Sequence, residues 1–276
     1  MSNEIVVVIG AGGIGQAIAR RVGSGRTVLL ADYDQKVLDS AARSLDGHRT
    51  ESRRVDVSSR ESVRALAKAA AALGSVMQVV HTAGLSPNMA PPDRILAVDL
   101  LGTALVLDEF GAVVAPGGAG VVISSMAGYM PPPLPREQNE ALARTPADDL
   151  LTLPLLQAVR DSGTAYGLSK RANHLRVQAE SLRWGERGAR INSISPGIIL
   201  TPLAQHELDS PVGAAYRAMI EASVAKRMGT ADEVATAAAY LLRPDAGFVT
   251  GADLLIDGGV IAAIRSGRLK LPGMEA

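Results

Sequence analysis

The chain contains no cysteine, which rules out disulfides, a thiol nucleophile and thiolate metal sites. Aromatic residues make up only 3%, and 28 Lys and Arg are balanced by 28 Asp and Glu. Neither stacking platforms nor a basic footprint for nucleic acid is therefore present. The four histidines, His48, His81, His174 and His206, lie far apart in sequence, so no structural metal is expected. The apolar run Ile5–Ile9 is too short to span a membrane, and no basic segment precedes it. It reads as a buried strand and not as a signal peptide, and a cytoplasmic location with no membrane partner is expected. What these absences leave is a small-molecule partner.

What is present is a repeating order of short apolar run, turn and helix-period stretch across 276 residues. Strands are expected at Ile5–Ile9, Val28–Ala31, a run ending at Val55-Asp56-Val57, Val76–His81, Val121–Ser125, Ile191–Ile194 and Leu254–Ile256. Helices fall between them, including Gln35–Leu45, one capped by Ser58 with Glu61, one over about 94–114, one opened by Thr164, one initiated by Pro211 and one capped by Thr230 with Glu233. Such alternation predicts parallel strands with crossover helices: a single-domain, doubly wound α/β fold with a parallel sheet of about seven strands. A (β/α)₈ barrel needs an eighth strand and does not account for the glycines after the first.

Those glycines, Gly10-Ala11-Gly12-Gly13-Ile14-Gly15, contain Gly-x-Gly-x-x-Gly between a strand and a helix. The backbone there can approach a pyrophosphate closely, and the helix N-terminus offers free N–H donors. Asp32, closing the second strand 17 residues past Gly15, would accept hydrogen bonds from the adenosine ribose and repel a 2′-phosphate, so NAD is expected over NADP. Farther on, Tyr166 and Lys170 lie four apart on one helix and share a face. A free tyrosine titrates near about 10, and a neighbouring cation favours its phenolate, which suits acid/base chemistry at neutral pH.

Taken together, the glycine loop, Asp56-Val57, Thr82-Ala83-Gly84, Ser125, Tyr166-Gly-Leu-Ser-Lys170, Pro196-Gly197 and Asp257-Gly258-Gly259 resemble the short-chain dehydrogenase/reductase family over nearly the whole chain. The resemblance implies a Rossmann-type fold, Tyr166 as general acid/base, Lys170 on the nicotinamide ribose and Ser125 on the substrate oxygen. It places Gly10, Gly12, Gly13, Ile14 and Gly15 on the pyrophosphate, Asp56 and Val57 beside the adenine, Ala83 and Gly84 along the cofactor, and Pro196, Gly197, Ile198 and Thr201 at the nicotinamide. It further implies a homotetramer or dimer with helix faces around Leu100–Leu107 and Ala172–Ala179 buried.

Three departures mark this chain. Its loop glycines are one residue closer than the family spacing, and His81-Thr82-Ala83-Gly84 stands for the family's Asn-Asn-Ala-Gly. Asp99 replaces an Asn that positions a proton-relay water in the family. An ionised Asp only accepts hydrogen bonds, so the relay is reorganised, or Asp99 is protonated, or its role is structural. Tyr166 also follows Ser125 by 41 positions, a longer interval than the family's. This helical insertion, at about 127–162, holds five leucines in Leu150–Leu156 and a helix start at Thr145-Pro146. Anchored at both ends by catalytic candidates, it is expected to fold over the cleft mouth as a lid that favours a bulky or apolar alcohol or ketone. Reduction of a carbon–carbon double bond and a catalytically idle dinucleotide sensor are the rival functions.

Overall fold

The apolar runs wind into one parallel sheet. In a computed structural model, which describes residues 3–201, 208 and 213–270, the strands are β1 (Glu4–Ile9), β2 (Thr27–Asp32), β3 (Arg49–Arg54), β4 (Ser75–His81), β5 (Val114–Ile123), β6 (Arg190–Pro196) and, after a separate two-residue ladder of β7 (Ile199–Leu200) and β8 (Gly229–Thr230), β9 (Asp253–Ile256). Their order is β3-β2-β1-β4-β5-β6-β9. The chain turns back between β1 and β4, and that reversal opens a crevice at the carboxyl ends of the strands. Strand β1 is central, and Ile5–Ile9 are wholly buried, as expected for a strand covered on both faces.

Helices α1 (Gly13–Val22), α2 (Gln35–Ser44) and a later helix at Ala231–Leu242 cover one face. The other face is covered by α3 (Arg60–Leu73), α4 (Pro92–Ile95), a π-helical turn (Leu96–Leu101), α5 (Gly102–Gly111) and the long helix at Ser162–Glu186. Between β5 and that long helix lie a 3₁₀ turn (Met126–Tyr129), α6 (Arg136–Arg144), α7 (Ala147–Leu150) and α8 (Pro154–Gln157). The long helix is thus α9, and it is followed by α10 (Gly213–Ala222), α11 (Ala231–Leu242) and α12 (Val260–Arg265).

Several boundaries differ from the sequence reading. The third strand ends at Arg54, because the Asp56 carboxylate turns the chain by accepting from the Ser58 amide at 2.9 Å and hydroxyl at 2.6 Å. With Ser58 so engaged, Ser59 caps α3. Helix α9 begins at Ser162, since Asp161 accepts from the Thr164 amide at 2.8 Å, and a carboxylate at an N-cap also meets the positive end of the helix dipole. Thr230 and Glu233 form the expected capping box. The expected Pro211 helix start lies outside the described residues.

The segment after Ser125 does not close over the cleft as expected. Its Leu142, Ala147, Leu150 and Leu156 are at most 3% exposed and belong to the same core as Leu100, Leu107, Ala172 and Val177. Two polar ties fix it there. Arg176 of α9 donates to the carbonyls of Leu142 and Thr145, both at 3.0 Å, and Arg60 joins Asp148 to Asp108 and Glu109. The single helix expected from Thr145-Pro146 is two one-turn helices, because Thr152 bonds back to the Asp149 carbonyl and Pro154 starts the second turn. The helix faces that the resemblance assigns to subunit contact are therefore largely buried within one chain.

Candidate active site

At the carboxyl end of β1, Gly10 adopts φ +96, and a Cβ on Gly15 would meet the Gly10 carbonyl oxygen at 2.0 Å. These two glycines serve the turn itself. Gly12 caps α1, and a Cβ there would meet nothing within 4 Å. Gly13 faces only the Thr201 methyl at 3.6 Å. The protein does not need bare backbone at Gly12 for its own packing; a pyrophosphate lying on the N–H groups of α1 does. Thr82 ties the loop to β4 by donating to the Gly10 carbonyl at 2.6 Å.

Asp32 accepts from the Ala11 amide at 2.8 Å and the Asp34 amide at 3.0 Å. Two carboxylate oxygens retain acceptor capacity beyond these bonds. Beside it lies Arg54, its register partner across β2 and β3, whose guanidinium sits 5.7 Å from the Tyr33 ring centroid. Sequence reasoning missed this arginine because only strand register brings it to Asp32. Asp56 is engaged with Ser58, and Val57 is buried against Gly102.

Ser125 ends the run from β5 and caps the 3₁₀ turn, its Oγ accepting from the Ala127 amide at 3.1 Å. With the oxygen so used, the hydroxyl proton is available to an external acceptor. Tyr166 and Lys170 project from α9, with the ammonium 5.1 Å from the phenol ring centroid. Behind Lys170, Asp99 is fully buried and its Oδ2 lies 2.9 Å from Nζ, while the Leu85 amide donates to Oδ1 at 2.8 Å. Burial acts against the Lys170 charge, but the Asp99 carboxylate and then Tyr166 outweigh it and raise its pKa. Burial likewise pushes Asp99 above the usual carboxylate range, with Lys170 pulling the other way.

One cavity of about 360 Å³ gathers Ile14, Thr82, Gly84, Ser125, Tyr166, Lys170, Pro196, Gly197, Ile198 and Thr201. Gly10, Gly12, Gly13, Gly15, Asp32, Asp56, Val57, Ala83 and Asp99 are not among its walls. From the segment after Ser125, the cavity takes Met126, Ala127 and Met130, and none of the leucines at 150–156. Met219, Tyr216 and Leu85 also line it and were not foreseen. Met219 and Tyr216 come from α10, which carries no motif, and Leu85 is the residue directly after Thr82-Ala83-Gly84. Asp99 pairs with Lys170 and does not itself line the cavity. Asn173, three positions beyond Lys170, was missed as well; its amide donates to the Asp99 carbonyl at 3.1 Å. Among the described residues, no three His, Asp or Glu converge to hold a metal, and no helix is long and apolar enough to cross a membrane.

A glycine loop open at a helix N-terminus, a serine, a tyrosine and a lysine on one crevice define a dinucleotide-linked oxidoreductase of the doubly wound class. A family model described as short chain dehydrogenase matches residues 4–135, and one described as Enoyl-(Acyl carrier protein) reductase matches 150–261. The chain is 47% identical over 266 residues to the short-chain dehydrogenase/reductase bsc3 of Alternaria brassicicola, covering 95% of this chain and 97% of that one. It is 31% identical over 251 residues to a 3-alpha-hydroxysteroid dehydrogenase/carbonyl reductase of Comamonas testosteroni, covering 88% and 96%. A short-chain type dehydrogenase/reductase from Mycobacterium ulcerans superposes with a TM-score of 0.74 at 26% identity, over 95% of this chain and 92% of that one. The chain belongs to the short-chain dehydrogenase/reductase family.

Proposed function

We propose that this oxidoreductase uses NAD to interconvert a neutral, predominantly apolar secondary alcohol and its ketone, with Tyr166 as the general acid/base. The observation that carries this reading is the convergence of Ser125, Tyr166 and Lys170 on the cavity that opens onto Ile14 and Thr201. Gly10, Gly12, Gly13 and Gly15 would hold the pyrophosphate at the start of α1, Asp32 the adenosine ribose, and Pro196, Gly197, Ile198 and Thr201 the nicotinamide end. When bound, the nicotinamide supplies the hydride acceptor for oxidation and the donor for reduction.

In the oxidative direction, the Tyr166 phenolate takes the substrate hydroxyl proton while the Ser125 hydroxyl donates to the same oxygen. In reduction the phenol returns that proton. Lys170 holds a positive charge beside the phenol and favours its ionised form. Lys170 is the one charged side chain on the cavity wall among the described residues, while Leu85, Met126, Met130, Ile198 and Met219 make much of the surface apolar. Such a wall suits a substrate with a single polar handle.

A panel of cyclic and open-chain secondary alcohols with NAD, followed by absorbance of the reduced nicotinamide, tests the reading. Turnover that rises with apolar bulk is expected. Turnover of an enoyl thioester with none of any alcohol or ketone would replace the proposal with carbon–carbon double-bond reduction.

A further inference from the structure

We propose that Asp99 is a positioning residue that partly neutralises Lys170 and thereby sets the working pH of the acid/base at Tyr166. The inference deepens the functional reading above and rests on it for the role of Tyr166. Its basis is an ion pair in a dry place. Asp99 is 0% and Lys170 4% exposed, with 2.9 Å between Oδ2 and Nζ. The pair is held from several sides. The Leu85 amide donates to Oδ1, and Thr103 and Asn173 donate to the Asp99 carbonyl at 2.8 and 3.1 Å. Bare backbone at Gly84 admits both charged groups, since a Cβ there would lie 3.2 Å from each.

The consequence is electrostatic. An unpartnered ammonium 5.1 Å from the Tyr166 ring centroid would present a full unit of charge to the phenol for as long as burial did not strip its proton. With a carboxylate directly behind it, the phenol faces a dipole, whose field is weaker and falls faster with distance. Other titratable groups near the pair do not replace that carboxylate. His81, at the end of β4, is pushed down to about 3 by burial and by Lys170, so it is neutral. His174, one turn along α9, is lowered by burial, with the Asp253 charge acting the other way. Arg171 follows Lys170 on α9, and Tyr129 donates to Asp253 at 2.6 Å. The charges that act on Lys170 are those of Asp99 and Tyr166.

The test reads tyrosinate absorbance against pH in protein without substrate or cofactor. Subtracting the Tyr166→Phe titration from wild type isolates one phenol, and Asp99→Asn minus the Asp99→Asn/Tyr166→Phe double variant isolates it without the carboxylate. The midpoint is expected to fall by about one pH unit in Asp99→Asn, and Asp99→Glu should keep it near wild type; a rise would show that Asp99 keeps the buried Lys170 charged instead of offsetting it, and would overturn the proposal. A purely structural Asp99 would lower the melting temperature and leave the midpoint unmoved, which would overturn the proposal. Asp99→Ser serves as the second neutral variant; if neither neutral variant folds, Asp99 is a structural ion-pair partner and the proposal fails. Because no substrate is used, a shifted midpoint in a protein inactive on every alcohol would strike at the functional reading and leave the role of Asp99 standing.

Discussion

The Ser124 hydroxyl donates to the Lys170 carbonyl over 2.9 Å, joining the end of the run that carries Ser125 to the helix that carries Tyr166 and Lys170. The three side chains proposed to act together thus depend on a contact between a strand exit and a helix backbone. A second bond, from the Ser124 amide to the Ile194 carbonyl at 2.7 Å, anchors the same residue to β6.

Ser124→Ala should lower kcat by roughly threefold to tenfold, the loss of a buried hydrogen bond of about 1 kcal/mol that aligns the strand exit with α9. Ser125→Ala removes a donor to the reacting oxygen and should cost about 10² to 10³. Tyr166→Phe should cost about 10² to 10⁴ while NAD binding stays near wild type. Steady-state kinetics with the best alcohol of the panel, beside NAD titration by fluorescence, separates these. A Tyr166→Phe enzyme retaining half of its kcat would refute the assignment.

Cofactor choice should turn on Asp32 against Arg54. Asp32→Ser removes a like charge from the position of a 2′-phosphate and leaves Arg54 beside it, so the NAD preference in kcat/KM should narrow by at least about tenfold, or 1.4 kcal/mol. Adding Arg54→Ala should restore part of the gap by weakening NADP. Equal kcat/KM for the two cofactors in the unmodified protein would contradict the idea.

The parts of the site visible in the sequence are those where chemistry demands a residue type at a fixed local spacing. Gly10, Gly12 and Gly15 are separated by a turn and the start of a helix, and Tyr166 and Lys170 by one helical turn. Strand alternation made the sheet legible for the same reason. Less legible were features settled by competition between neighbours. Ser58 with Glu61 reads as the cap, yet the Asp56 carboxylate engages Ser58 and leaves the cap to Ser59. The leucines at 150–156 announced that something apolar must cover them. Which surface does so depends on Arg176 and Arg60, whose reach to Leu142 and Asp148 spans 34 and 88 positions of chain.

That packing moves the expected effect of truncating these leucines from substrate binding to stability. Leu150 is 0% exposed and sits in the main core, so Leu150→Ala should cost about 2–5 kcal/mol in stability and leave KM near wild type in the fraction that stays folded. Met130, on the cavity wall, should behave oppositely. Met130→Ala should raise KM for an apolar substrate severalfold with a smaller change in stability. Urea unfolding and kinetics on the two variants check this; a selective KM effect from Leu150→Ala would revive the lid.

His81 supplies the last prediction. Its Nε2 lies 3.1 Å from the Thr103 hydroxyl, whose own proton goes to the Asp99 carbonyl at 2.8 Å. Thr103 therefore accepts, Nε2 carries the imidazole proton, and the buried Nδ1 has no partner in the described structure. Protonating Nδ1 would bury an unpaired N–H and a charge close to Lys170, and burial first and then Lys170 push the His81 pKa down to about 3. An unfolded histidine titrates near about 6.5. Between those values the unfolded chain binds more protons than the folded one, so stability falls as pH falls through that window. From pH 7 to pH 5 the loss from this one group should be about 2 kcal/mol. His81→Asn removes the titration while keeping a side chain able to reach Thr103, and should be less sensitive to acid over that interval by the same amount. Urea unfolding of both proteins at the two pH values measures the difference. Equal losses in wild type and variant would show that His81 is not held neutral by its burial.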